Sequence, residues 1–318
     1  MNSNMHSTIA PKVTVILPVY NGERTIKVAV ESMLNQTFSD FELIACIDGT
    51  NDSSEEIIRS IQDPRITVIK NPVNLGLGRT LNRLISTAHP QSQYIAMAEQ
   101  DDWYYPDRLQ AQIDFLDNNP KYGLVTGIVE HWDGKAVTAR LPSMLVRGEQ
   151  FPTDYKECFL LIYRELNMLP QTCMMFRKNI FVEKGLYFSA HYPSMPTDWD
   201  FALRFCKFAP VYGLHQPLVR QGREPNRVSL SKNLKQTFSS GFELLRSFRY
   251  ECSQVITKAD YQYAVVNLKI RELSNLPFFR RWGALMQLVI STGHSLALDR
   301  LKLETKRLFN GYYGRGVT

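Results

Sequence analysis

Tyr94-Ile95-Ala96-Met97-Ala98-Glu99-Gln100-Asp101-Asp102-Trp103-Tyr104-Tyr105-Pro106 decides how this 318-residue chain folds. The first five residues form an apolar run of the right length for a buried strand. The run then ends in three carboxylates within four residues, Glu99, Asp101 and Asp102. Pro106 is expected to open an amphipathic helix over 106–118, since proline is tolerated at a first helical position. Leu109, Ile113 and Leu116 would be its inward face. Polar side chains at the carboxyl end of a buried strand mark the edge where open α/β sheets bind ligands. Three carboxylates this close repel one another. A divalent cation with a phosphate-bearing ligand would neutralise them. The plainer reading is a solvated acidic turn that caps the helix.

Upstream, strands and helices alternate. Lys12–Leu17, Phe41–Ile47 and Arg65–Ile69 read as strands. Ile26, Ala29, Val30, Met33 and Leu34 fall on one helical face, and Ser53–Ile61 and Arg79–Ala88 read as helices. This alternation predicts βαβ units and a mainly parallel, mixed α/β sheet flanked by helices. Tyr20 and Asn21, Asp48, and Glu99 with Asp101 each follow a strand, and in a right-handed parallel sheet those ends share one edge. Together they outline a nucleotide pocket with a ring to stack on, an acceptor for base or ribose, and a metal for a diphosphate. Neither G-x-x-x-x-G-K-[ST] nor G-x-G-x-x-G follows the first strand. The phosphates must therefore be met by a metal or by basic side chains.

Downstream, Gly123–Gly127 reads as a strand. Gly134, Pro142, Gly148 and Pro152 then break the pattern, so residues 128–165 are expected to be irregular and to reach toward an acceptor. Pro170–Arg177 reads as a strand whose first polar residues, Gln171 and Thr172, are either substrate contacts or plain strand-start residues. Asp198 precedes a helix with Trp199, Ala202, Leu203 and Cys206 on one side. It is either the helix N-cap or a general base, with Asp200 as the alternative base. Trp103, Tyr104 and Tyr105 could stack on sugar rings, although packing is the expected role for most of them. His215 reads as structural. Arg220, Arg223 and Arg227 are solvated arginines or cover a diphosphate.

Bulk properties narrow the class. Hydrophobic content of 44% and charged content of 21% are those of a globular chain. No apolar run approaches the roughly 18–20 residues of a membrane span. Residues 1–11 are polar and read as a disordered tail without a signal core. The five cysteines show no C-x-x-C pair, so reduced thiols and a cytoplasmic setting are expected. Residues 231–318 hold 14 Lys/Arg against 6 Asp/Glu, a balance of +8 that leaves −2 for residues 1–230. Nucleic-acid binding by the main domain is therefore not expected. The basic tail suits an anionic partner instead.

Val15-Ile16-Leu17-Pro18-Val19-Tyr20-Asn21, Ile47-Asp48-Gly49-Thr50-Asn51-Asp52, Asn74-Leu75-Gly76, and Glu99-Gln100-Asp101-Asp102 with Pro106-Asp107-Arg108-Leu109 together resemble the family 2 glycosyltransferases of the GT-A fold. The resemblance covers residues 12–231 as a catalytic domain and leaves 232–318 as a basic helical extension. It implies an inverting transfer from a nucleotide-sugar donor, with a Mg2+ or Mn2+ ion, to a saccharide or lipid-linked saccharide. Residue by residue, it implies that Pro18 and Tyr20 flank the base and that Asp48 meets uracil or ribose. Gly76 belongs to the donor loop, Glu99 lies near the ribose, and Asp101 binds the metal. Asp102 follows as a further acid that could contact the acceptor or the diphosphate, and Asp198 is the catalytic base. Ile47, Glu99 and Thr197 depart from the family's usual acids. A sugar nucleotidyltransferase or a nucleotide-sugar-binding protein without turnover are the alternatives. Basic and aromatic residues interleaved on the tail helices suit peripheral binding to an anionic membrane or pairing with a second copy.

Overall fold

The computed structural model describes residues 10–166, 168–191, 196–222 and 233–313. Most of the predicted N-terminal tail, the arginines Arg223 and Arg227, and the expected domain boundary at 231/232 lie outside the described residues. The chain divides into two compact units. The first comprises 1–159, 167–193 and 197–229, and the second comprises 160–166, 194–196 and 230–318.

The first unit begins with β1 (Val13–Val19), α1 (Ile26–Leu34), β2 (Phe41–Asp48), α2 (Ser54–Ser60), β3 (Ile66–Asn71), α3 (Leu77–Thr87) and β4 (Tyr94–Met97). Next come β5 (Asp102–Tyr104), α4 (Arg108–Asn118), β6 (Leu124–Trp132), β7 (Val137–Leu141), α5 (Ser143–Val146) and α6 (Tyr155–Glu165). A 3-10 turn (Gln171–Cys173), β8 (Met175–Arg177), α7 (Lys178–Glu183), α8 (Pro196–Phe205) and β9 (Val211–Gly222) follow. Among the described residues the strands form one sheet in the order β3-β2-β1-β4-β8-β6-β9-β5, with β7 on the outside of β6.

β1 to β4 are parallel. β1, β2 and β4 are covered on both faces, which is why they read as unbroken apolar runs. α1 buries Ile26, Ala29, Val30 and Met33 against this core. Beyond β4 the sheet becomes mixed. β8 is antiparallel to both β4 and β6, β9 runs parallel to β6, and β5 is antiparallel to β9.

Three expectations change. The helix after the acidic turn begins at Arg108, and Pro106 lies in the turn before it. The pairing of β5 with β9 keeps the backbone extended, and the Tyr105 N–H donates to Leu218 O (3.1 Å). The residue before a proline also favours extended geometry. Residues 128–165 are more regular than their glycines and prolines suggest. β6 runs on to Trp132, β7 returns beside it, and α6 buries Cys158, Phe159, Ile162 and Tyr163 at helical spacing. Gln171 and Thr172 lie on a 3-10 turn, not at a strand start, and both are buried.

The second unit holds α9 (Leu234–Glu251), α10 (Lys258–Leu273), α11 (Phe278–Thr292) and α12 (Ser295–Tyr313), together with the end of α6. Thr257 caps α10. Its hydroxyl accepts from the Asp260 N–H (3.2 Å), and the Asp260 carboxylate accepts from the Thr257 N–H (2.8 Å). Asp260 is also ion-paired with Arg164. Tyr163 donates its hydroxyl to Leu245 O (2.8 Å). Leu285, Ala297 and Leu301 form the contact between α11 and α12. No described helix is long and apolar enough to cross a membrane.

Candidate nucleotide-sugar site

The parallel register brings the carboxyl ends of β2, β1 and β4 side by side, and hydrogen bonds tie their loops together. Gln100 grips the backbone of Tyr20 from both sides. It accepts from the Tyr20 N–H (2.8 Å) and donates to Tyr20 O (2.9 Å). Gly22 permits this approach, because a Cβ there would lie 2.7 Å from the Gln100 side-chain oxygen. The Asn21 N–H donates to the Thr50 hydroxyl (2.7 Å), and the Gly22 N–H donates to the Ser54 hydroxyl (2.8 Å). The Tyr20 side chain remains exposed at this edge.

Asp48 ends β2 and is buried. Its Oδ1 accepts from Asn71 Nδ2 (2.7 Å) and the Leu75 N–H (2.8 Å), and its Oδ2 accepts from the Gly76 N–H (3.0 Å). Asp48 thus fixes the loop that starts α3. Gly49 adopts a φ of +68°, and a Cβ there would meet Asn74 N at 2.4 Å, so only glycine fits.

The acidic turn after β4 is arranged differently. One carboxylate oxygen from each of Glu99, Asp101 and Asp102 lies within 4.8 Å of the other two. The turn is supported from beneath. Tyr104 Oη accepts from the Glu99 N–H (2.6 Å) and lies 3.2 Å from the Thr172 hydroxyl. Burial pushes the Tyr104 phenol well above its usual value, and the nearby Asp102 charge adds to this, so the ring stays neutral. Arg108 is fully enclosed. It donates to Met97 O (2.7 Å), and its guanidinium sits 4.8 Å over the Tyr104 ring. Thr172 therefore reaches the acidic turn through Tyr104. A set of hard oxygen donors this compact fits Mg2+ or Mn2+.

Arg220 is embedded in aromatic rings. Its guanidinium carbon lies 4.7 Å from the Trp132 ring centre, 5.1 Å from that of Trp103 and 5.6 Å from that of Tyr105. It donates to Tyr105 Oη (3.0 Å), which in turn donates to the buried Glu130 (2.5 Å). Burial pushes the Glu130 carboxyl up, but hydrogen bonds from Tyr105 and Arg140 outweigh it and hold the group below its usual range. Of the three aromatic residues, Tyr104 is buried, while Trp103 and Tyr105 are half-buried and pack edge to face with ring centres 4.8 Å apart. His215 Nε2 lies 2.9 Å from Glu149 O.

Asp198 lies inside the first turn of α8, not before it, so it is not the N-cap. Its Oδ1 accepts from the Trp199 N–H (2.8 Å). Asp200 is buried and ion-paired with Arg204 (3.0 Å) within the same helix. A Cβ on Gly123 would lie 2.5 Å from Ala209 Cβ and 2.9 Å from Phe205, and Gly123 sits at the amino end of β6. β6 points the same way as β4, because both are antiparallel to β8. The far end of α8 thus packs at the amino end of β6, and Asp198 lies seven residues, about 10 Å along the helix, from Phe205. Phe201, one turn on from Asp198, stacks on Phe188 (4.2 Å). Asn82 of α3 holds the Phe188 backbone by both N–H and C=O, each at 2.8 Å.

Gln100, Arg108 and Asn82 also shape this edge, and the motifs alone gave them no role. Their partners lie on neighbouring strands or helices. Only the strand order reveals them.

A family model described as Glycosyl transferase family 2 matches residues 14–183, more than half of the chain. EpsE of Bacillus subtilis is 34% identical over 151 residues, which is 44% of this chain and 54% of EpsE, so the match spans about half of that relative. WfaP of Escherichia coli, a UDP-Glc:alpha-D-GlcNAc-diphosphoundecaprenol beta-1,3-glucosyltransferase, is 35% identical over 105 residues, 33% of this chain and 41% of WfaP. The crystal structure of S. aureus TarS in complex with UDP superposes with a TM-score of 0.62 at 17% identity, covering 86% of this chain and 78% of that one. The sheet, the edge it builds and the family match lead to one conclusion: the chain belongs to glycosyl transferase family 2 and its first unit has the GT-A fold.

Proposed function

We propose that the first unit transfers a glycosyl group, with inversion, from a UDP-sugar to a saccharide or lipid-linked saccharide, as in the synthesis of a surface polysaccharide. The observation that carries this reading is the carboxylate triad Glu99–Asp101–Asp102 at the carboxyl edge, beside the exposed Tyr20. UDP in the TarS structure and the substrates in WfaP's name support the donor and acceptor classes. Asp101, with Glu99 and Asp102 beside it, would hold Mg2+ or Mn2+. When bound, such an ion supplies Lewis-acid stabilisation to the diphosphate leaving group.

Tyr20 and Pro18 receive the base, while Asp48 holds the Gly76 loop in shape for the donor. The acceptor hydroxyl attacks the anomeric carbon as the bond to the diphosphate oxygen breaks. Asp198 takes the hydroxyl proton. Arg220, fixed among its rings, keeps β5 and β9 together behind the acidic turn. A lipid-linked acceptor would place the reaction at a bilayer surface, and the +8 balance of residues 231–318 supports that placement.

The test is nucleoside diphosphate release from a panel of UDP-sugars, with and without saccharide-diphosphate-lipid acceptors. Acceptor-dependent release is expected. Asp198→Asn should lower kcat by about 10²- to 10⁴-fold and leave UDP affinity unchanged. No acceptor-dependent release with any sugar would sink the reading, and full turnover in the variant would remove Asp198 from it.

A further inference from the structure

We propose that α11 lies flat on an anionic lipid bilayer, with Phe279 and Ile290 as its inserted face and Arg280 at the headgroups. At about 100° per residue these two apolar side chains fall within roughly 20° of one another. Phe279 is 81% exposed and Ile290 is 78% exposed, while Met286 between them is half-buried against the helical core. The opposite side of the helix is also apolar. Leu285 is buried there, and Leu288 and Val289 pack against α10 and α12 residues. Large apolar side chains exposed on the outer side of a helix whose inner side is packed suit a bilayer surface. At 15 residues α11 is too short to span a bilayer, so a surface position is the one open to it.

Charge selects the partner. Residues 273–298 contain no Asp or Glu, and the only charged side chains there are Arg280 and Arg281. Arg280 is exposed beside Phe279, while Arg281 donates to Ser274 O (3.1 Å). Trp282 stands at the flank with its indole N–H on the Thr305 hydroxyl (3.1 Å) and its ring half in solvent. Tryptophan commonly takes this position between apolar and wet layers. A second copy docked on the same face would bring two exposed Arg280 side chains together, and residues 273–298 supply no acid to oppose them. An anionic headgroup layer supplies the missing charge, at about 1 kcal/mol for each basic residue near it. The contact stands whether or not the acceptor is lipid-linked.

Flotation of the full chain with vesicles tests this contact. Vesicles of phosphatidylcholine with phosphatidylglycerol should carry the chain up the gradient, pure phosphatidylcholine should carry much less, and high salt should weaken the binding. The double variant Phe279→Ser/Ile290→Ser should bind anionic vesicles at least about tenfold more weakly. Arg280→Gln should lose about fivefold. Thermal midpoint and UDP affinity should be unchanged in both, since none of these side chains lies in the first unit. The proposal is overturned if the wild-type chain ignores anionic vesicles or if the double variant binds them equally well. It is also overturned if the substitutions dissolve a dimer while leaving vesicle binding intact.

Discussion

β2 and β4 flank β1 and end at the same edge of the sheet, and both deliver acids there, one held singly by its own chain and the other set in a group of three. Asp48 is buried, and both of its oxygens are filled by its own chain, through Asn71, Leu75 and Gly76. The carboxylates of Glu99, Asp101 and Asp102 stand within 4.8 Å of one another. The first arrangement is architecture, in which a carboxylate stabilises a loop. The second is a concentration of negative charge that a bound cation would relieve. Motif reading treats both acids as ligand contacts. The structure shows one held by three groups of its own chain and the other grouped with two further carboxylates, and the proposed cation belongs to the second.

This contrast predicts different failures. Asp101→Ala should abolish transfer, by at least about 10³-fold, while the metal-free thermal midpoint holds or rises as repulsion is relieved. A collapse of the fold would show that the turn is structural after all. Asp48→Asn should do the reverse. The Gly76 N–H would lose its acceptor, at a cost to stability of about 2–3 kcal/mol, read as a lower denaturation midpoint with metal affinity preserved.

The loop after β2 should also be the acid-sensitive part of this edge. Burial raises the Asp52 pKa, but hydrogen bonds from Ser54, Glu23 and Thr50 outweigh it, so the folded value lies below the unfolded one. The stabilisation is therefore present above the unfolded value and is lost as pH falls through the folded one. Asp52→Asn should flatten stability against pH below about 4, and an unchanged profile would contradict this. Smallest of all, Gln100→Ala removes two bonds at a half-exposed position, costing about 1 kcal/mol. It should loosen Tyr20 enough to weaken UDP binding more than it weakens the fold.

The parallel half of the sheet was legible because strands buried on both faces can only be written as apolar runs, each closed by a polar turn. β7 could not be read that way. Its Val137–Leu141 is largely exposed and carries Thr138 and Arg140, so no apolar signature exists. α6 did carry a signature in Cys158, Phe159, Ile162 and Tyr163, but the surrounding glycines and prolines drew attention to loops. In the site, Asp48 and the acidic turn were visible as strand-end acids. Gln100 looked like a spacer between acids. Its amide became meaningful once β1 and β4 were neighbours and Tyr20 lay opposite. Arg108 stood inside a recognised motif, but its burial beneath the turn depends on β5, a strand of three residues too short to announce itself.

Calorimetric titration of UDP into the wild-type chain and into Asp101→Asn, each with Mn2+ and with a chelator, asks whether the acidic turn binds the donor through a cation. The account predicts that Mn2+ strengthens UDP binding to the wild-type chain by at least about tenfold and that the variant loses this gain while still binding UDP weakly. Equal UDP affinity with and without the ion, or an undiminished gain in the variant, would contradict it.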